Sequence, residues 1–156
     1  MIYVGVDPGK KGGFAVIYYD LPGKQHVDVF PWDDDVFVRE MTGWRDDFVA
    51  QEVGGAVACV EKVGAMHGQG VRSMFTFGKS AGFIEGVLAA LGIGYQLIPP
   101  KTWKAEFGLN SDKTASIEVC KRLFPGVNLL ANERCRKESD GMAEALLLAC
   151  YAQRHF

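Results

Sequence analysis

Asp7 closes the apolar run Ile2-Tyr3-Val4-Gly5-Val6, and Glu61 closes a second, Ala56-Val57-Ala58-Cys59-Val60. A carboxylate at the end of a buried strand costs several kcal/mol to desolvate unless something cationic meets it. A third acidic point, Asp140 with Glu144, stands in the closing segment. On a helix these two lie one turn apart, where like charges cost a few tenths of a kcal/mol that an unneeded pair would avoid. The four acids together read as a cage for a metal ion. Magnesium prefers carboxylate oxygen and keeps several waters, so a few acids suffice. Plainer accounts exist for each. Asp7 could start an Asp-Pro-Gly turn, Glu61 could pair with Lys62, and Asp140 follows Ser139, a good N-cap, at a position where an acid suits the helix dipole. The turn account gives no reason for the apolar strand in front of Asp7.

The elements that must position these acids follow from hydrophobic pattern and punctuation. Residues 2–7 predict a strand, Pro8-Gly9-Lys10-Lys11-Gly12-Gly13 a turn, 14–19 a second strand, and 26–30 a third that Pro31 ends. A helix is expected over 34–51, with acids in its first turn. The nearly continuous apolar residues of 56–61 predict a central strand buried on both faces. A flexible loop, 64–70, leads to a long helix over 71–91. Its Gly78, Gly82 and Gly86 fall at i, i+4, i+8 and predict close packing against a neighbouring helix or backbone. A short strand at 95–98 stops at Pro99-Pro100, and helices over 112–123 and 139–155 close the chain. Three strands, helix, strand, helix, strand, helices is the order of the ribonuclease H-like fold. That α/β architecture is a mixed five-stranded sheet, three antiparallel strands then parallel ones, flanked by helices. With the first and fourth strands adjacent, Asp7 and Glu61 would meet, and the last helix could lay Asp140 and Glu144 over them.

At 156 residues the chain suits one domain, 1–156, with no second domain needed. No apolar run approaches the roughly 20 residues of a membrane span, and no basic, then apolar, leader precedes Ile2, so a cytoplasmic protein with no membrane role is expected. Cys59, Cys120, Cys135 and Cys150 form no C-x-x-C pair, and Cys59 and Cys150 sit in apolar runs as small buried residues would. A net charge of −2 argues against a generally basic nucleic-acid binder, yet charge is unevenly spread. From Lys62 to Lys104 the bases Lys62, Arg72, Lys79, Lys101 and Lys104 meet one acid, Glu85, which supplies a phosphate-facing surface unless these are scattered solvated lysines. Gln69, Arg72, Ser73 and Lys79 fall where the long helix starts and backbone amides hold phosphate. Lys10 and Lys11, in the turn beside Asp7, join the DNA-contact candidates. His67 is a lone loop histidine, and Trp103 reads as packing.

Asp7-Pro8-Gly9, Glu61-Lys62-Val63, Gly68-Gln69-Gly70-Val71 and the segment from Asp140 to Ala149 resemble, in order and separation, the RuvC-type Holliday junction resolvases, specifically their short phage and prophage relatives. The resemblance spans nearly the whole chain. It implies that Asp7, Glu61, Asp140 and Glu144 bind two divalent ions, Mg²⁺ or Mn²⁺, and that Lys104 and Lys113, with Lys101 as the alternative to Lys104, serve near the scissile phosphate and DNA backbone. It also implies a homodimer, without a nucleotide cofactor, that nicks two symmetry-related strands of a four-way junction to leave 5′-phosphate and 3′-hydroxyl ends. The chain departs from the bacterial enzymes in two ways. Their last two acids are three apart where Asp140 and Glu144 are four apart, and no aromatic wedge follows Glu61 before Phe75.

Two-ion phosphodiester hydrolysis needs an ionised water in line and a neutralised leaving alkoxide, which two hard cations roughly 3.5–4 Å apart supply together. A broader branched-DNA nuclease fits the same residues. A non-catalytic junction-binding protein would have no reason to keep acids that repel phosphate. Actin-like and sugar-kinase ATPases share an Asp-x-Gly turn after a first strand but need two domains closing on ATP, for which 156 residues leave no room.

Overall fold

The computed structural model describes residues 1–20, 23–51, 55–62, 64, 70–109 and 112–156. Five strands, β1 (Ile2–Asp7), β2 (Gly13–Tyr19), β3 (Gln25–Pro31), β4 (Ala56–Glu61) and β5 (Gly94–Ile98), form one sheet in the order β3-β2-β1-β4-β5. The first three run antiparallel as a meander, and β4 and β5 add on in parallel. Pro31 remains inside β3, where it pairs with Gly13. It is tolerated there because β3 is an edge strand and Pro31 its last residue.

Alternation along the strands sorts side chains to two faces. Val4, Val6, Ala58 and Val60 face α1 (Asp34–Gln51) and α2 (Val71–Ala90), packing with Phe37, Met41, Ile84 and Leu88. The opposite face, with Ala15, Ile17 and Cys59, packs under α5 (Asp140–His155). Asp7 and Glu61 end their strands on this second face, at positions set by the Val6 to Val60 pairing. Cys59 and Cys150 are buried, as their apolar contexts suggested.

One element was not expected and one expectation fails. Pro99-Pro100 stops β5 as read, and Pro100 also opens a short helix, α3 (Pro100–Glu106), absent from the sequence reading. Proline suits a first helical turn, where its missing N–H has no partner to lose. Among the described residues the glycines of α2 do not mediate close packing, since a Cβ at Gly78, Gly82 or Gly86 would meet none of them within 4 Å. The α4 helix (Lys113–Leu123) and α5 appear where expected, capped by Asp112 and Ser139, whose side chains accept from the amides of Thr114 and Met142. Among the described residues no helix is long and apolar enough to cross a membrane.

Candidate active site

Close backbone approach brings α5 to the acid-bearing end of the sheet. A Cβ on Gly5 would overlap the Ala145 carbonyl oxygen and the Ala149 amide nitrogen, so only glycine lets β1 and α5 touch. A Cβ on Gly141 would overlap the Lys11 carbonyl oxygen and come within 2.6 Å of the Gly12 Cα, which seats the first turn of α5 on the β1–β2 turn. Asp140 and Glu144 therefore stand over the end of β1.

Three carboxylates converge there. Oxygens of Asp7, Glu61 and Glu144 lie within 4.8 Å of one another. Asp140 is outside that trio but lines a cavity with Asp7 and Glu144, and Lys104 and Asp112 also stand on its walls. Glu61 is held by the fully buried Trp103, whose Nε1 donates to Oε2 at 3.0 Å. Lys104 Nζ donates to Glu144 Oε1 at 2.9 Å and lies 5.1 Å from the centre of the Trp103 ring. Both side chains of this pair are half-buried, 30% and 17% exposed.

The electrostatics describe a site with too much negative charge for its own cations. Burial, then the charges of Glu61 and Glu144, push the Asp7 carboxyl well above the ordinary carboxylate range. Burial also raises Glu61, against the pull of Lys104 and the Trp103 hydrogen bond. Burial alone would lower Lys104, but its hydrogen bond to Glu144 and the neighbouring carboxylates outweigh that and hold its ammonium protonated. Three crowded oxygen-donor groups, with Lys104 bonded to Glu144 beside them, are a donor set suited to a hard divalent cation.

The other sequence candidates distribute around this centre. Lys10 and Lys11 line the acidic cavity. Arg72, Ser73 and Lys79 line a neighbouring groove on α2. Lys62 and Lys101 are exposed and do not line the acidic cavity. Lys113 opens α4, but its side chain, like Gln69, His67 and most of the 64–70 loop, lies outside the described residues. Of the alternatives Lys101 and Lys104, only Lys104 turns inward to the carboxylates. Sequence reasoning treated Trp103 as packing alone and missed its N–H to Glu61. The available signal was its place beside Lys104 in Lys101-Thr102-Trp103-Lys104, whose value depended on a helix that the prolines concealed.

No family model matches the sequence, and no curated protein matches it. Among solved structures, the chain is similar to Thermus thermophilus RuvC in complex with Holliday junction substrate, with 15% identity over 99% of this chain and 97% of that one and a TM-score of 0.58. A second structure of Thermus thermophilus RuvC is similar at 16% identity, over 99% of this chain and 96% of that one, with a TM-score of 0.55. The fold is the ribonuclease H-like fold of RuvC.

Proposed function

We propose that this chain is a metal-dependent, structure-selective endodeoxyribonuclease of the RuvC resolvase type, nicking four-way DNA junctions as a homodimer to leave 5′-phosphate and 3′-hydroxyl ends. The observation that carries the reading is the convergence of Asp7, Glu61 and Glu144 on a fold shared with a protein solved on a Holliday junction. Asp7, Glu61 and Glu144 would hold the ions, with Asp140 completing the acidic wall. Bound there, two Mg²⁺ or Mn²⁺ ions would supply an activated water and neutralise the leaving oxygen.

The chain's own residues do the rest. Trp103 holds one oxygen of Glu61 and so fixes its carboxylate beside those of Asp7 and Glu144. Lys104 brings an ammonium to the scissile phosphate, and Lys10 and Lys11 lie in the turn over which the strand would pass. Arg72, Ser73 and Lys79, together with Lys62, Gln69, Lys101 and Lys113, are assigned to the DNA backbone.

Labelled four-way junction, flap, nicked and linear duplex DNA, each incubated in magnesium, manganese or EDTA, test this reading. Metal-dependent paired nicks in the junction support it; equal cutting of all branched forms favours the broader branched-DNA nuclease, and no cutting of any refutes catalysis. Two substitutions probe the roles. Trp103→Phe keeps the ring and removes the donor to Glu61, so manganese affinity measured by electron paramagnetic resonance is expected to fall about 10- to 100-fold, the usual effect of losing a ligand's orienting partner. Lys104→Ala is expected to weaken junction binding in calcium and reduce the slope of log affinity against log salt by about 1. An unchanged slope would remove Lys104 from the phosphate.

A further inference from the structure

The helix that brings Trp103 and Lys104 to the carboxylates is too short to hold its own place. α3 has seven residues and no side-chain cap at its start, and helices of that length are marginal without tertiary contacts. Trp103 donates to Glu61 and Lys104 to Glu144. Whatever fixes α3 therefore bears on two of the three converging carboxylates.

Trp103 and Phe107 anchor it in the same buried cluster as the α5 side chains, their rings 6.5 Å apart and edge to face. Charged contacts then tie α3 to α5 at two points. One is Lys104 to Glu144, at the cavity. The other is at the far end of α5, where Glu106 meets two successive residues. Arg154 Nη1 donates to Glu106 Oε1 at 2.9 Å, and His155 Nε2 pairs with Oε2 at 2.7 Å. Both partners are themselves braced: the Arg154 guanidinium lies 4.8 Å from the centre of the Phe107 ring, and Tyr151 stacks on the His155 ring at 4.2 Å. Burial alone would raise the Glu106 carboxyl, but the hydrogen bonds from His155 and Arg154 outweigh it and hold the group below the ordinary range, as a carboxylate. Glu144 and Arg154 are ten residues apart, about 15 Å along the helix, so the two ties resist both sliding and rotation of α3.

The two ties differ in what a bound cation does to them. A divalent ion competes with Lys104 for Glu144, whereas Glu106 does not line the acidic cavity and keeps its partners. We infer that Glu106 is a positioning residue: tied to Arg154 and His155, it holds the end of α3 on α5, keeping Trp103 on Glu61 and the Lys104 ammonium at the cavity when a cation takes Glu144. This inference rests on the nuclease reading and deepens it. Exposed ion pairs add little to overall stability, and the side chains of Glu106, Arg154 and His155 are 24%, 42% and 44% exposed. The contact therefore supplies placement rather than strength, and the two are separable by measurement.

The test needs neither DNA nor cleavage. In metal-free protein labelled with nitrogen-15, the Trp103 indole N–H signal is identified by its loss in Trp103→Phe. Glu106→Ala is expected to move that signal and speed its hydrogen exchange, with the Trp32 and Trp44 indoles unmoved and the melting temperature little changed. Manganese affinity, measured by electron paramagnetic resonance, should fall about 10-fold, the lower end of what losing a ligand's orienting partner costs. Glu106→Gln keeps the length and an acceptor for Arg154, and should lie between wild type and Glu106→Ala. The double variant Arg154→Ala with His155→Ala should reproduce Glu106→Ala. Adding Glu106→Ala to it should cost nothing further, the non-additivity of groups that act through one contact. The proposal is overturned if Glu106→Ala leaves the Trp103 signal and manganese affinity at their wild-type values. It is equally overturned if all three indoles move together with a fall in melting temperature, which would make Glu106 a structural residue only. A wild-type protein without manganese affinity overturns the nuclease reading, and the Trp103 signal then still shows whether Glu106 places α3.

Discussion

Asp7→Asn is expected to abolish junction cleavage in magnesium, a loss of at least about 10²–10³-fold on the scale of removing one preorganised electrostatic stabiliser, while junction binding in calcium should persist. The same substitution is expected to raise the melting temperature of the metal-free protein at neutral pH. Burial and the charges of Glu61 and Glu144 raise the Asp7 carboxyl in the fold, so the native state holds its proton more tightly than the unfolded chain does. Stability from this group is complete below the ordinary value of 3.8 and is lost as pH rises through the raised native value. Asparagine carries no such dependence, and the advantage of Asp7→Asn should vanish in acid and grow toward neutrality. Divalent ions reverse the order, because ligation stabilises the wild-type fold by mass action and asparagine is a poorer ligand. Melting curves at several pH values, with and without manganese, check each limb. An active mutant, or a wild type indifferent to manganese, would contradict the assignment.

Gly5→Ala is expected to be the most damaging small substitution in the core. Its methyl group would overlap backbone atoms of Ala145 and Ala149, which cannot rotate aside as a side chain would. Overpacking of this kind costs about 3 kcal/mol, or a fall of roughly 6–12 °C in melting temperature for a chain of this length. Relief requires α5 to lift from β1, and Glu144 rides on α5, so cleavage should fall further than stability explains. Thermal melts paired with junction cleavage well below the lowered melting temperature measure both. Full activity in a folded Gly5→Ala protein would show that contact between β1 and α5 does not position the carboxylates.

The strands and the acids at their ends were legible because burial leaves a pattern. Continuous apolar residues in 56–60 marked a strand covered on both faces, and a carboxylate at its end stood out against them. The α5 helix was legible for the same reason, with Ser139 marking its start. What escaped depends on contacts remote in sequence or on ambiguous punctuation. Trp103 meets Glu61 from 42 positions away, and nothing in either segment announces the hydrogen bond. The prolines at 99 and 100 serve equally as a strand stop and a helix start, so α3 was invisible and Lys101 could not be separated from Lys104. The i, i+4 glycines of α2 have spacing but no close partner among the described residues, because regular spacing states which face they share and not what covers it.

A crystal grown with manganese and measured at a wavelength that excites its anomalous scattering tests the metal cage most directly. The expected result is two anomalous peaks between the carboxylates of Asp7, Glu61 and Glu144, with the Lys104 ammonium moved off Glu144 and the peaks absent from Asp7→Asn crystals. Manganese found only at surface acids such as Asp33 and Asp35, with the Lys104 to Glu144 pair undisturbed, would contradict it.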